Sequence, residues 1–96
     1  NNVADAVREL DQLVPKVNYG PNNPNNGGNM HEWTTTGEYL TMSFSYLSKA
    51  DHDRCMDFYK THFQTIGRRV KADSIRFEVQ ELPYEHYSLE FIMWWD

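Results

Sequence analysis

The sequence has one cysteine and no long apolar run. These two features argue against a disulfide-rich protein and against a membrane-spanning helix. Cys55 is the single cysteine among 96 residues, so no intrachain disulfide can form, and no Cys and His cluster has zinc spacing. No run approaches the roughly 18 apolar residues that span a bilayer. The opening residues also lack the basic and apolar segments of a secretion signal. A start at Asn1 is expected either of a processed mature protein or of a trimmed chain.

Basic residues are missing from the end of the chain. The net charge is -5, and no Lys or Arg follows Arg76, whereas Glu81, Glu85 and Glu90 do. An acidic total argues against nucleic acid as the main partner, so no nucleic-acid binding is predicted. The basic middle and the acidic tail are expected to form two solvated faces of opposite sign.

The first 29 residues predict a helix followed by a loop. Residues 2–14 have the apolar spacing of an amphipathic helix, which Asn2 can cap and Pro15 ends. Its apolar stripe consists of Val3, Ala6, Val7, Leu10, Leu13 and Val14. Residues 15–29 are rich in Asn, Pro and Gly, which favour turns and leave little to bury. This segment is therefore expected to be a mobile linker or a surface loop.

Strict alternation predicts a strand over residues 39–47, and residues 30–35 are expected to pair with it through a turn at Thr36 and Gly37. The face of that strand that should be buried carries Leu40, Met42, Phe44 and Tyr46. A second alternating pair of strands lies near the C-terminus, with Ile75, Phe77 and Val79 in the first. Its last strand should face inward with Tyr87, Leu89, Phe91, Met93 and Trp95.

A second helix is predicted between the two strand pairs. Ser48 has the position of an N-cap with Asp51 in the first turn, and Gly67 is expected to form a left-handed end cap. The apolar stripe of this helix consists of Cys55, Met56, Tyr59, Phe63 and Ile66.

The element order predicts a single α+β domain over residues 1–96. An antiparallel sheet of three to four strands is expected to pack on one main helix, with an additional N-terminal helix, and residues 30–96 should form the sheet-plus-helix core.

Several residues have the chemistry of ligands or catalysts. Asp51, His52, Asp53 and Cys55 are of metal-ligand type, and a His could activate the Cys55 thiol. Helix capping and burial of the thiol in the apolar stripe explain these residues better. The acidic tail implies no cleft for acid and base work. No catalytic residue, metal site or cofactor is therefore predicted, and the chain is expected not to be an enzyme, with a small hydrolase or thiol enzyme as a third hypothesis.

The stretch from Ala50 to Trp94 resembles small bacterial envelope proteins and lipoproteins. The resemblance rests on a strand that leads to a helix with Asp57-Phe58-Tyr59-Lys60, then Ile66-Gly67 and two strands. It implies a noncatalytic domain of the periplasm or cell envelope. Such a domain would contact the membrane only through a lipidated Cys upstream. The cytoplasm is the alternative compartment. Arg68 departs from the pattern, in which Trp often follows the Gly.

Two side chains of the last strand break its alternation and suggest a binding surface. Ile92 and Trp94 fall opposite the predicted core face. Either the N-terminal helix covers them, which we expect, or they form an exposed patch that binds a protein partner. The alternative hypothesis is an acidic inhibitor or immunity-type protein, in which Glu81 and Glu85 mask a basic partner surface.

Overall fold

The computed structural model describes residues 2–15 and 31–96. The first described element is helix α1 (Asn2–Asp11), and it is followed by strands β1 (His31–Thr35) and β2 (Tyr39–Leu47). The loop predicted for residues 15–29 lies outside the described residues apart from Pro15.

The middle of the chain forms one continuous helix, here called the main helix. It consists of α2 (Lys49–Phe58), a π-helical turn (Tyr59–Phe63) and α3 (Gln64–Arg69). Strands β3 (Ser74–Leu82) and β4 (His86–Trp94) follow, joined by a short 3-10 turn (Pro83–Glu85). The predicted α+β layout is confirmed.

The four strands form one antiparallel sheet in the order β1-β2-β4-β3. Both predicted hairpins are present, and the sheet joins them by pairing β2 with β4, so that Met42 lies opposite Phe91. The two central strands are therefore β2 and β4. The short β1 and the nine-residue β3 are the edges.

One face of the central strands forms the core under the main helix. Its buried side chains are Leu40, Met42, Phe44, Leu89, Phe91 and Met93. Phe91 lies in the middle, with ring centroids 4.9 Å from Tyr59 and 5.5 Å from Phe63. Burying one such side chain stabilises the fold by about 1.5–3 kcal/mol.

Helix α1 packs on the same face of the sheet as the main helix. Val3, Ala6 and Leu10 belong to the same buried cluster as Leu40 and Met42. Arg69 at the end of the main helix donates to Glu9, with 2.6 Å between Nη2 and Oε1. The helix ends at Asp11, not at residue 14, and a tighter turn follows, in which the Leu13 amide donates to the Leu10 carbonyl oxygen; Pro15 disfavours helical conformation at Val14.

The alternation of β2 breaks near its end, where the prediction for Tyr46 is wrong. Tyr46 has a positive φ of 55° and is 65% exposed, and the pairing register shifts between Phe44 and Leu47. Such a bulge inserts one extra residue into the strand, so the side chains after it change faces. Leu47 consequently takes the buried place that the alternation predicts for Tyr46.

The start of the main helix follows the prediction, but its end does not. The Ser48 hydroxyl accepts a hydrogen bond from the Asp51 amide at 3.2 Å, as expected of an N-cap. Gly67 is helical and buried, and the positive φ comes later, at Lys71. A Cβ at residue 67 would lie 2.7 Å from Ile75 Cδ1, so glycine here permits close approach of helix and sheet.

Candidate functional site

The outer face of the sheet carries Ile92 and Trp94, as the alternation predicts. Ile92 is 6% exposed, yet it lies outside the buried cluster that holds the other core residues. Its neighbours across the strands are Thr41 and Arg76. Ile92 is therefore buried on the outer face, between Thr41 and Arg76 of the two neighbouring strands.

Trp94 is 43% exposed and packs against the ring of Tyr39. Its ring stacks on Tyr39, with 5.7 Å between centroids and 14° between planes. Its indole Nε1 donates to Asp96 Oδ1 at 3.1 Å. The expected cover by the N-terminal helix is wrong, because α1 packs its apolar stripe against the opposite face.

Glu81 and Glu85 lie far from the two apolar candidates. Glu81 is at the far end of β3, opposite Tyr87, and Glu85 lies in the turn before β4. With a rise of about 3.3 Å per residue, the length of β4 separates this turn from Trp94 by about 30 Å. The four candidate residues consequently form two separate surfaces and not one site.

The β3–β4 turn projects an aromatic ring beside the two acids. Tyr84 is 92% exposed, and both Tyr84 and Glu85 have positive φ, of 61° and 58°. Side chains with a Cβ adopt this conformation at a cost of about 1 kcal/mol each. The turn therefore holds Tyr84 and Glu85 in a strained backbone at the tip of the hairpin.

Cys55 is buried, and its environment does not favour the reactive thiolate. Its side chain is fully covered, and burial raises the pKa of the thiol to about 12. A thiol with such a pKa stays protonated at neutral pH, whereas nucleophilic attack requires the thiolate. Its position on the buried face of the main helix, toward the sheet, matches the sequence prediction.

The other ligand-type residues near Cys55 make structural contacts. His52 packs on Tyr87 with 4.6 Å between ring centroids, and its Nδ1 lies 2.9 Å from Asp53. Asp53 also accepts from Lys49. Within residues 2–15 and 31–96, no group of three His, Cys, Asp or Glu side chains is arranged to hold a metal ion.

The far edge of β3 is a surface that the sequence did not single out. The backbone amide of Trp95 donates to the backbone carbonyl oxygen of Glu38 at 2.7 Å. This bond extends the pairing of β2 with β4 by one residue pair beyond Tyr39 and Trp94. Backbone groups alternate in direction along a strand, so odd residues of β4 bond to β2 and even residues bond to β3. Ile92 lies opposite Arg76, so even residues of β4 face even residues of β3. The N–H and C=O groups of the even residues of β3 therefore bond to β4.

The odd residues of β3 therefore direct their N–H and C=O groups away from the sheet. They are Ile75, Phe77, Val79 and Glu81. Among the described residues no strand pairs with this side of β3. Unpaired edge groups of this kind are a template for another strand.

Apolar side chains line the same edge on the helix face. Phe77 and Val79 share a face with Phe91 and Leu89, which are buried, but are themselves 43% and 48% exposed. The ring of Tyr59 touches Phe77 from one side, with 5.1 Å between centroids. The main helix thus covers the central strands and leaves the apolar row of β3 half open.

The outer face of the same strand carries an exposed charge pair. Arg76 donates to Glu78, with 2.8 Å between Nη1 and Oε1, and more than half of each side chain is accessible. The β3 edge, defined here as residues 74–82, therefore combines free backbone groups, an apolar row and two opposite charges.

Comparison of the chain with protein-family models, curated proteins and solved structures finds no match. Among the described residues, no helix has the length and apolar character needed to span a membrane.

Proposed function

We propose that this domain is a noncatalytic binding module that takes up an extended segment of a protein partner as an additional strand beside β3. The resemblance to small envelope proteins motivates the further proposal of a periplasmic or envelope location. Fractionation of cells that produce the protein would test that location.

The observation that carries this proposal is the long β3 edge, beside which no strand lies among the described residues. Natural proteins protect edge strands by shortening them, by inserting a bulge or Pro, or by pointing charges inward. β3 has nine residues and pairs with β4 in an unbroken register. Its single inward-pointing charge is Glu81, near the end of the strand.

Strand addition would use each feature of this edge. The free groups of Ile75, Phe77 and Val79 would provide main-chain hydrogen bonds, which give affinity in this mode of recognition. The half-exposed rings and aliphatic groups would gain cover from alternate side chains of the bound segment. Specificity would then come from the side chains that meet Phe77 and Val79.

A second candidate function is masking of a basic partner surface by the hairpin tip. Tyr84 is the most exposed large apolar residue described, and Glu81 and Glu85 lie beside it. Exposed aromatic rings and electrostatic complementarity both contribute to protein interfaces. Binding at the tip would be sensitive to salt, whereas strand addition would depend mainly on the backbone.

Selection from a displayed library of random peptides distinguishes these surfaces. We expect the selected peptides to alternate apolar and polar residues, and to lose binding to a Val79→Pro variant. Pro is tolerated at this position because the amide of Val79 makes no bond within the sheet. The matched controls are Trp94→Ala on the outer face and the double change Glu81→Gln with Glu85→Gln at the tip.

Each outcome of the selection has a definite meaning. Basic peptides that are lost on neutralising the two acids would favour the hairpin tip. Peptides that require Trp94 would favour the outer aromatic face. A library that gives no binder, or binders that Val79→Pro leaves unaffected, would contradict strand addition at β3.

A further inference from the structure

We infer that the strand bound at the β3 edge is the β3 strand of a second copy of this chain, related to the first by a two-fold axis at Phe77. This inference rests on the proposed function and names its partner. The axis would run perpendicular to the sheet, so the two sheets would continue into one and both helix layers would lie on the same side.

The backbone of β3 is compatible with this symmetry. An axis at Phe77 sets Phe77 opposite its own copy and Ile75 opposite Val79. These are odd residues, whose N–H and C=O groups already point away from the sheet. In an antiparallel ladder, residues that exchange both hydrogen bonds alternate with residues that exchange none. The free groups therefore match each other without any change in strand conformation.

The charges on the outer face are complementary in the same register. The axis at Phe77 sets Arg76 of each copy opposite Glu78 of the other. Opposite charges that lie directly across a strand pair stabilise it, and the symmetry produces this pair twice. More than half of each side chain is exposed, so both can exchange their intrachain pairing for a partner across the edge.

The apolar row on the helix face is also self-complementary. Phe77 is half exposed where the main helix stops covering the sheet, and it would pack against Phe77 of the second copy. Ile75 and Val79 would meet on both sides of this ring pair. Pairs of aromatic and of β-branched side chains across strands are favourable contacts.

Neighbouring positions of the axis lose these matches. An axis at Glu78 sets this carboxylate opposite its own copy and leaves Arg76 opposite Gln80. An axis at Val79 sets the Phe77 ring opposite the Glu81 carboxylate. Like charges directly opposite each other are destabilising, and a charge against a ring leaves the apolar row uncovered. Phe77 is therefore the position that satisfies both faces.

Complementary charge reversals test the register by sedimentation velocity over nanomolar to submillimolar concentrations. Arg76→Glu would set two acids opposite each other at both symmetric places, and Glu78→Arg would set two bases there. Each variant alone should self-associate about tenfold or more weakly than the wild type, because the symmetry repeats the repulsion. An equimolar mixture of the two should associate again, since every facing pair is then opposite in sign.

The controls address folding and nonspecific charge effects. Circular dichroism and thermal unfolding of each variant at low concentration should match the wild type, because both side chains are exposed. Glu32→Arg changes the net charge as Glu78→Arg does, but lies on the outer face of β1 at the opposite edge. This variant should self-associate as the wild type does.

Several outcomes would overturn the inference. A wild type that stays monomeric at submillimolar concentration contradicts it, although displayed peptides that still bind β3 would leave the proposed function intact. A dimer that Arg76→Glu leaves unchanged contradicts the axis at Phe77. A mixture of the two variants that fails to associate contradicts the facing charge pairs.

Discussion

The central strand β4 and the edge strand β3 have the same length and similar alternation, but different degrees of burial. Leu89, Phe91 and Met93 of β4 are at most 2% exposed, whereas Phe77 and Val79, which lie directly opposite on the same face, are 43% and 48% exposed. The difference comes from the position of the main helix. Alternation therefore tells which face a side chain occupies, but not whether another element covers that face.

The first test of this comparison uses the thiol as a probe of cover. Cys55, on the buried face of the main helix, should react with a thiol reagent about a thousandfold more slowly in the native state than after unfolding, because burial limits access and the raised pKa suppresses the thiolate. The matched variant carries Val79→Cys with Cys55→Ala, and it should react nearly as fast as a free thiol in dilute protein. Equal native rates at the two positions would contradict the difference in cover.

Truncation of two facing rings gives the next largest effect. Phe91→Ala should reduce the free energy of unfolding by about 3–5 kcal/mol, because it leaves a cavity in the core. Phe77→Ala removes the same atoms from a half-exposed site and should cost about half as much or less in the dilute monomer. Urea unfolding measures both values. Similar losses for the two variants would show that Phe77 is covered.

Gly67 tests how closely the main helix approaches β3. Gly67→Ala should fail to give the stabilisation of about 1 kcal/mol that Ala normally brings to a helix, because the new methyl group would meet Ile75 Cδ1 and that side chain would have to move. Gly37→Ala is the control, since no atom lies within 4 Å of a Cβ built there. A stabilisation of about 1 kcal/mol or more by Gly67→Ala in urea unfolding would refute the close approach.

The strained hairpin tip gives a small effect, and its sign is opposite to that of the ring truncations. Glu85→Gly should raise the free energy of unfolding by about 1 kcal/mol, since glycine adopts the positive φ of this position without steric cost. Glu81→Gly, in the extended strand nearby, should instead lower it by about 0.5–1 kcal/mol. If both variants are destabilised in thermal unfolding, the left-handed turn is refuted.

Local patterns in the sequence predicted the element order, both hairpins and the inward residues of β4. Ser48 predicted a helix start because capping depends on a few neighbouring residues. The apolar stripe predicted for the main helix omits Phe58, although its burial fits ordinary helical spacing, three residues after buried Cys55. The alternation misplaces Tyr46 because a bulge between Phe44 and Leu47 shifts the pairing by one residue.

The candidate site was the least predictable part. Trp94 drew attention because it breaks an alternation, and the structure leaves it half exposed on the outer face. The β3 edge gave no such signal, because Ile75, Phe77 and Val79 follow the pattern of a buried strand. Their exposure depends on the order of strands and on the path of the main helix, which are set by contacts between distant parts of the chain.

Hydrogen exchange at the backbone amides of β3 tests the central claim most directly. In dilute protein the amides of Phe77 and Val79 should exchange fast, while those of Arg76 and Glu78, which bond to β4, exchange slowly. At high concentration the amides of Phe77 and Val79 should become protected as the second copy pairs with them. Protection of Phe77 and Val79 already in the dilute monomer, or no change with concentration, would contradict a free β3 edge that pairs with another strand.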